Sequence, residues 1–461
     1  MAPFTVKIID RWFHLALLSF PLIGELQMTD EERTESIGPE SPLFLDLIEK
    51  IQEFTASKLD GQVRLGVHEP GHGAAHMEMT LYFFLRASRL LKIPKDKVLV
   101  GALATILHDV WRENVYDSHT VKSAKAADAI MRTRFRIGGK HYIISDWVRE
   151  LALEMISSHS IHSARAKTMK VPDDWMIVAM TLQSADILAS GGAFGYLRSF
   201  SYSGHVLKSM LDRIKIVVRD PKKFSDPLPE NLRLFLSASQ NAFHEWILSI
   251  MLRTDRKTIE HTDFEKFKNF ALSMTRFGAD RDVLIQAGGF VDRETNHRSE
   301  SSLSSIDEEN RKLVFNALAI AEENKKVSSD FNDLIRELDL FAARGLIDNS
   351  RVDSDIENDI LILLEYSVPG ICSRAFWGQF NPVDVESDED TLTGYLTLPE
   401  RIESFRKLLE KIGGSAEKAG IKTEHGKKLF KKTYSKSSVL VESALKQYRE
   451  QRWTLEMWDS F

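Results

Sequence analysis

From Val67 to about Met210, apolar residues recur three and four positions apart, the period of an amphipathic helix. The pattern predicts five helical segments, interrupted at Pro94-Lys95-Asp96, at Gly138-Gly139 and at Val171-Pro172-Asp173. Ahead of this block, residues 1–60 form a short helical preface that ends in the amphipathic stretch Leu43 to Ile51. Behind it, the stretch Asp220 to Pro229 holds three prolines within the nine residues from Pro221, which no helix interior tolerates, so a boundary is expected there. The chain therefore divides into an N-terminal segment (1–60), a helical domain (61–220) and a further helical region (221–461). Loops are expected at Ser299 to Ser305, which is low in complexity, and at Asn381 to Thr393. There is no internal repeat, Gly-rich phosphate loop or sustained heptad.

Composition agrees with that pattern. A 461-residue chain with 43% hydrophobic and 28% charged residues can bury a large core, and its 24 Gly and 13 Pro suit an all-α fold. The longest apolar run, Trp12 to Gly24, is too short to span a bilayer and lacks a small-residue cleavage pattern, so a packed N-terminal helix is expected and no membrane partner. One cysteine, Cys372, allows no internal disulfide and no thiolate zinc site, which points to a reducing compartment, the cytoplasm. The net charge of −6 is uneven: Asp384 to Asp390 is acidic, whereas Arg401 to Arg452 holds fourteen Lys and Arg against six Glu. That basic stretch suits either a solvated helical face or a nucleic-acid contact.

Candidate chemistry gathers in the second region. His76 opens a helix, and His108-Asp109 closes the apolar run Val98 to Leu107, where an adjacent imidazole and carboxylate can share a metal ion. His119 starts another segment and His159 ends the one that begins near Asp146. Asp186 sits among Ala179, Met180, Leu182, Ala185, Ile187 and Leu188, where a carboxylate is costly unless a cation or hydrogen bonds satisfy it. Nitrogen and oxygen donors together suit manganese, iron, cobalt, nickel or zinc, whereas a magnesium site would use mainly oxygen.

The order His76, His108-Asp109, Asp186 resembles the signature of the HD superfamily of metal-dependent phosphohydrolases over roughly residues 65–210. Ala104-Thr105-Ile106-Leu107-His108-Asp109 is similar to its apolar run into HD, and Ser184-Ala185-Asp186 to its closing Ala-Asp. The resemblance implies an all-α HD-domain bundle that cleaves a phosphoester or phosphoanhydride bond in a nucleotide-like substrate. It implies one ion on His76, His108, Asp109 and Asp186. His119 and His159 extend it to members with a second ion, bridged by Asp109, among them the bacterial diadenosine polyphosphate hydrolases. Metal-activated hydroxide would then be the nucleophile, with no need of Ser or Cys.

Where the family often carries Lys three residues after the HD aspartate, this chain has Arg112, able to grip phosphate or to form a surface ion pair. Glu113 departs from the guanosine tetraphosphate hydrolase pattern, and Trp111 to Asn114 from that of the deoxynucleotide triphosphohydrolases. His72 and His162 lie four residues before His76 and three after His159; each could line the substrate pocket, although a supporting or exposed role is the plainer reading. Arg198, His205 and Lys208 are further phosphate candidates, and Trp111, Phe194 and Tyr196 could stack on a base. Three rival functions share these residues: a single-strand nuclease using the basic stretch, a di-iron oxygenase, and a non-catalytic nucleotide sensor. Oligomeric state is open.

Overall fold

The computed structural model describes residues 34–64, 68, 70–90, 92–112, 119–160, 170–189, 192–201, 355, 358–359, 362–363, 366 and 396–461. The described residues are mostly helical, as expected. In chain order they form β1 (Glu35–Ile37), α1 (Phe44–Arg64), α2 (Ala74–Leu90), α3 (Lys95–Leu107), α4 (His119–Met131), β2 (Phe135–Ile137), β3 (Lys140–Ile144), α5 (Asp146–Ser158), α6 (Met176–Leu188), α7 (Gly192–Ser201), α8 (Leu398–Ile412) and α9 (Glu424–Glu450).

A helix that is apolar on every side needs neighbours on every side. Every residue of α3 from Val98 to Leu107 is buried, and the helix is packed by α1, α2, α4, α5 and α6. Gly101 permits the closest of these approaches: a Cβ there would overlap the Phe84 ring of α2 and the Val178 side chain of α6. Pro94 precedes the helix and His108 ends it, so its exit delivers His108 and Asp109 straight from the core.

A small sheet stands beside the helices. Gly138 and Gly139, expected to separate helices, instead form the two-residue turn of the β2–β3 hairpin, with φ of 56° and 86°. Both values lie in the left-handed region that such a turn demands and that glycine adopts freely. β1 joins β3 in parallel, pairing Glu35 with Tyr142 and Ile37 with Ile144.

The expected boundary at 60/61 falls inside α1. This helix runs unbroken to Arg64 and buries Phe44, Leu47, Ile48, Ile51, Leu59 and Val63 against α2 and α3. Residues 398–461 also join the bundle: α9 packs along α7 and α8. After it, Trp458 Nε1 donates to Gln52 Oε1 of α1 at 2.6 Å, and Trp453 N–H donates to the Glu78 carbonyl of α2 at 3.0 Å. The apolar run 12–24, the boundary near 220, the loops at 299–305 and 381–393, and Cys372 lie outside the described residues. Among those described, no helix is long and apolar enough to cross a membrane.

Candidate metal centre

Helix ends bring the chemistry together. His76 stands in the first turn of α2, His108 caps α3 with Asp109 next to it, His119 begins α4, His159 caps α5, and Asp186 lies in the last turn of α6. All six expected ligands converge on one cluster. Within it, His76–His108–Asp186 and His108–Asp109–His159 are each spaced closely enough to hold a metal ion.

Backbone carbonyls orient two of the rings. His108 Nδ1 lies 2.7 Å from the Thr105 carbonyl and His159 Nδ1 lies 2.6 Å from the Ile156 carbonyl. A carbonyl can only accept, so each Nδ1 carries a proton, and in the neutral ring the Nε2 lone pair is turned into the cluster, the form a metal requires. Gln183 of α6 steadies the end of α5 by donating to the Ser158 carbonyl at 2.8 Å.

Asp109 is the centre of the arrangement and only 3% exposed. Its Oδ2 lies 3.5 Å from His108 Nε2 and 3.6 Å from His76 Nε2, while its Oδ1 lies 3.5 Å from His159 Nε2 and 3.8 Å from His119 Nε2. Asp186 Oδ1 approaches His76 Nε2 at 3.1 Å and His108 Nε2 at 3.9 Å. Donors sharing one ion at bonds of about 2.1 Å stand roughly 3.0–3.4 Å apart, so the cluster has nearly the spacing of a coordination shell. Two further observations fit a cation. Asp109 Oδ1 and His159 Nε2 are buried without a hydrogen-bond partner. His108 Nε2, already without a proton, faces His76 Nε2 at 3.2 Å.

Burial and charge set the protonation. Burial pushes His108 and His119 down to about 4, so both are neutral donors near pH 7. Burial opposes charge at His159 too, but the Asp109 carboxylate outweighs it and holds that imidazole above its ordinary value. The carboxylates are held below their usual range despite burial: Asp109 by His108, Arg112 and His72, and Asp186 by His76 and His108. The more exposed side chains are Asp186 (21%), His119 (13%) and Arg112 (12%), which mark the open edge of the cluster.

Arg112 is not a surface pair. Its Nη1 donates to Asp109 Oδ2 at 3.3 Å inside the cluster. Arg198 of α7 is also buried there, with its guanidinium 3.0 Å from His76 Nε2 and 3.3 Å from His72 Nε2. His72 departs most from the plainer expectation for it. It lies in the 3-10 turn Pro70–His72, is buried, and puts Nε2 3.7 Å from Asp109 Oδ2 in a third group spaced for metal, His72–His76–Asp109. His68, which nothing in its sequence context singles out, is buried and donates through Nε2 to the His72 carbonyl at 2.9 Å, bracing that turn.

Phe194 cannot stack on a base, since it is fully buried and stacked on Tyr448 of α9 at 5.1 Å. The Trp111 backbone is tied to Ser123 of α4. His162, His205, Lys208 and the Tyr196 side chain lie outside the described residues. In the basic stretch, Arg401 is buried and donates to the Leu396 carbonyl, Arg406 is engaged by Glu403 and Glu410, and Lys427 by Glu424. The sequence matches no family model, no curated protein and no solved structure.

Proposed function

We propose that the chain is a metal-dependent phosphohydrolase of the HD superfamily, cleaving a phosphoester or phosphoanhydride bond of a nucleotide-like substrate. The observation that carries this reading is the two-sided use of Asp109. One carboxylate oxygen faces His76 and His108 and the other faces His159 and His119, as a ligand shared between two ions would. Asp186 completes the set for the first ion, and the chain order of these residues is that of the superfamily signature.

When bound, the ions supply Lewis acidity, lowering the pKa of a water and neutralising charge on a phosphate oxygen. The chain supplies the rest. His108 arrives in the neutral tautomer that leaves Nε2 free to bind, which removes a proton-loss step from loading at that residue. Arg112 fixes the Asp109 carboxylate and brings a guanidinium to the open edge where phosphate arrives. Arg198 brings a second guanidinium to the same cluster. Burial of the histidines excludes water from all but the Asp186–His119–Arg112 edge, where the substrate phosphate enters. A cytoplasmic nucleotide pool belongs to this reading.

Phosphate release should be screened over nucleotides with manganese, iron, cobalt, nickel, zinc and magnesium, on the wild type and Asp109→Ala. Metal-dependent release that falls to background in the variant is the expected result. An unchanged rate in Asp109→Ala refutes the assignment. Cleavage of a labelled single strand with nucleotides untouched would mean a nuclease, and turnover that consumes oxygen would mean an oxygenase.

A further inference from the structure

We infer that His72 is a metal ligand, joining His76 and Asp109 Oδ2 around the first of the two ions proposed above. The inference deepens the proposed function, because it rests on the same cluster holding metal. His72-Gly73-Ala74-Ala75-His76 spaces two imidazoles four residues apart, the separation that puts two histidines on one side of a helix in metal-binding motifs. The 3-10 turn runs into α2 and preserves that juxtaposition: the rings meet edge to face with centroids 5.1 Å apart.

The two Nε2 atoms approach Asp109 Oδ2 at 3.7 Å and 3.6 Å, beyond hydrogen-bond reach and close to the edge of a coordination polyhedron. His72 lies on the Oδ2 side of Asp109 with His76 and His108, whereas His119 and His159 lie on the Oδ1 side, so His72 serves the first ion and not the second. The Arg198 guanidinium stands against His76 Nδ1 and Nε2 and against His72 Nε2, so it turns aside when an ion takes those lone pairs.

The test is metal content and spectrum, independent of turnover. Chelator-stripped wild type, His72→Gln and His159→Gln are loaded with manganese or zinc, and bound metal is counted by mass spectrometry after gel filtration. His72→Gln should bind the ion on the His76 side about tenfold less tightly than the wild type, or fail to hold it. His72→Cys loaded with cobalt(II) should gain a thiolate-to-cobalt charge-transfer band in the near ultraviolet, and this decides the matter if His72→Gln does not fold. A full complement of equal affinity in His72→Gln, or no such band in a folded His72→Cys, overturns the proposal and leaves the proposed function standing. A wild type that binds no metal sinks both.

Discussion

His68, His108 and His119 share a physical situation: burial holds each at about 4, whereas an unfolded chain returns it to about 6.5. Below pH 6.5 the unfolded state therefore takes up protons that the folded state refuses, so folding stability falls as pH drops from 6.5 to 4. Each histidine contributes up to roughly 3 kcal/mol across that window. His159, held above its ordinary value, works the other way as one group against three, while Asp109 and Asp186, held low, add a loss only below about pH 4. The metal-free protein should have a clearly lower urea midpoint at pH 5 than at pH 7. Equal midpoints would contradict the protonation described above. At this scale the residues that cluster were legible because the histidines and Asp109 open or close helical runs and Asp186 is a carboxylate in apolar company. The spacing of His72 was visible too, but whether it faced solvent or Asp109 depended on a turn and on α3, neither of which local sequence reports.

At the scale of elements, α9 is the strut behind α7, and α7 carries Arg198. The Gln447 side-chain oxygen accepts from the Phe194 N–H at 2.9 Å, Tyr448 stacks on Phe194, and its hydroxyl donates to Glu78 of α2 at 3.0 Å. Gln447→Ala leaves a buried N–H without its partner and should cost about 1–3 kcal/mol, read from urea unfolding. Tyr448→Phe keeps the stack and loses two hydrogen bonds, the one to Glu78 and the one accepted from Arg452, so its cost should stay at about 1–3 kcal/mol; a loss as large as that of Tyr448→Ala would show that the hydroxyl, not the ring, holds the helix. Gly101→Ala tests the other crossing. Alanine normally favours a helix by about 1 kcal/mol over glycine. Here its methyl meets Phe84 and Val178, so net destabilisation of about 1–3 kcal/mol is expected, and a stabilised variant would disprove the close approach. The helices themselves were readable from their 3.6-residue period. The hairpin was not, because strands of three and five residues are too short for alternation to register, and a Gly-Gly pair breaks a helix as well as it turns a strand.

For the whole molecule, the candidate ions would tie α2, α3, α4, α5 and α6 at a single point. Stripping metal should therefore lower the melting temperature, and a saturating ion at 100 times its dissociation constant should restore about 2.7 kcal/mol. An identical melt with and without chelator would argue against bound metal. The division into three regions was the least legible feature, since composition marks breaks in the chain but not what packs across them. α1 crosses one expected boundary, and residues 398–461 pack on helices that carry the site.

The Trp458–Gln52 hydrogen bond joins residues 406 positions apart. At about 5–20 residues per second of synthesis, the apolar face of α1 waits roughly 20–80 seconds for that partner. Until then α1 and α2 present unburied apolar surface with only part of their final packing, an interval in which a nascent chain is vulnerable to aggregation and to chaperone capture. Helix α7 likewise reaches its support on α9 only after Gln447 has been made, 253 residues after Phe194. The fully braced centre thus forms only after Gln447 and Trp458 have been made, long after the cluster's own residues.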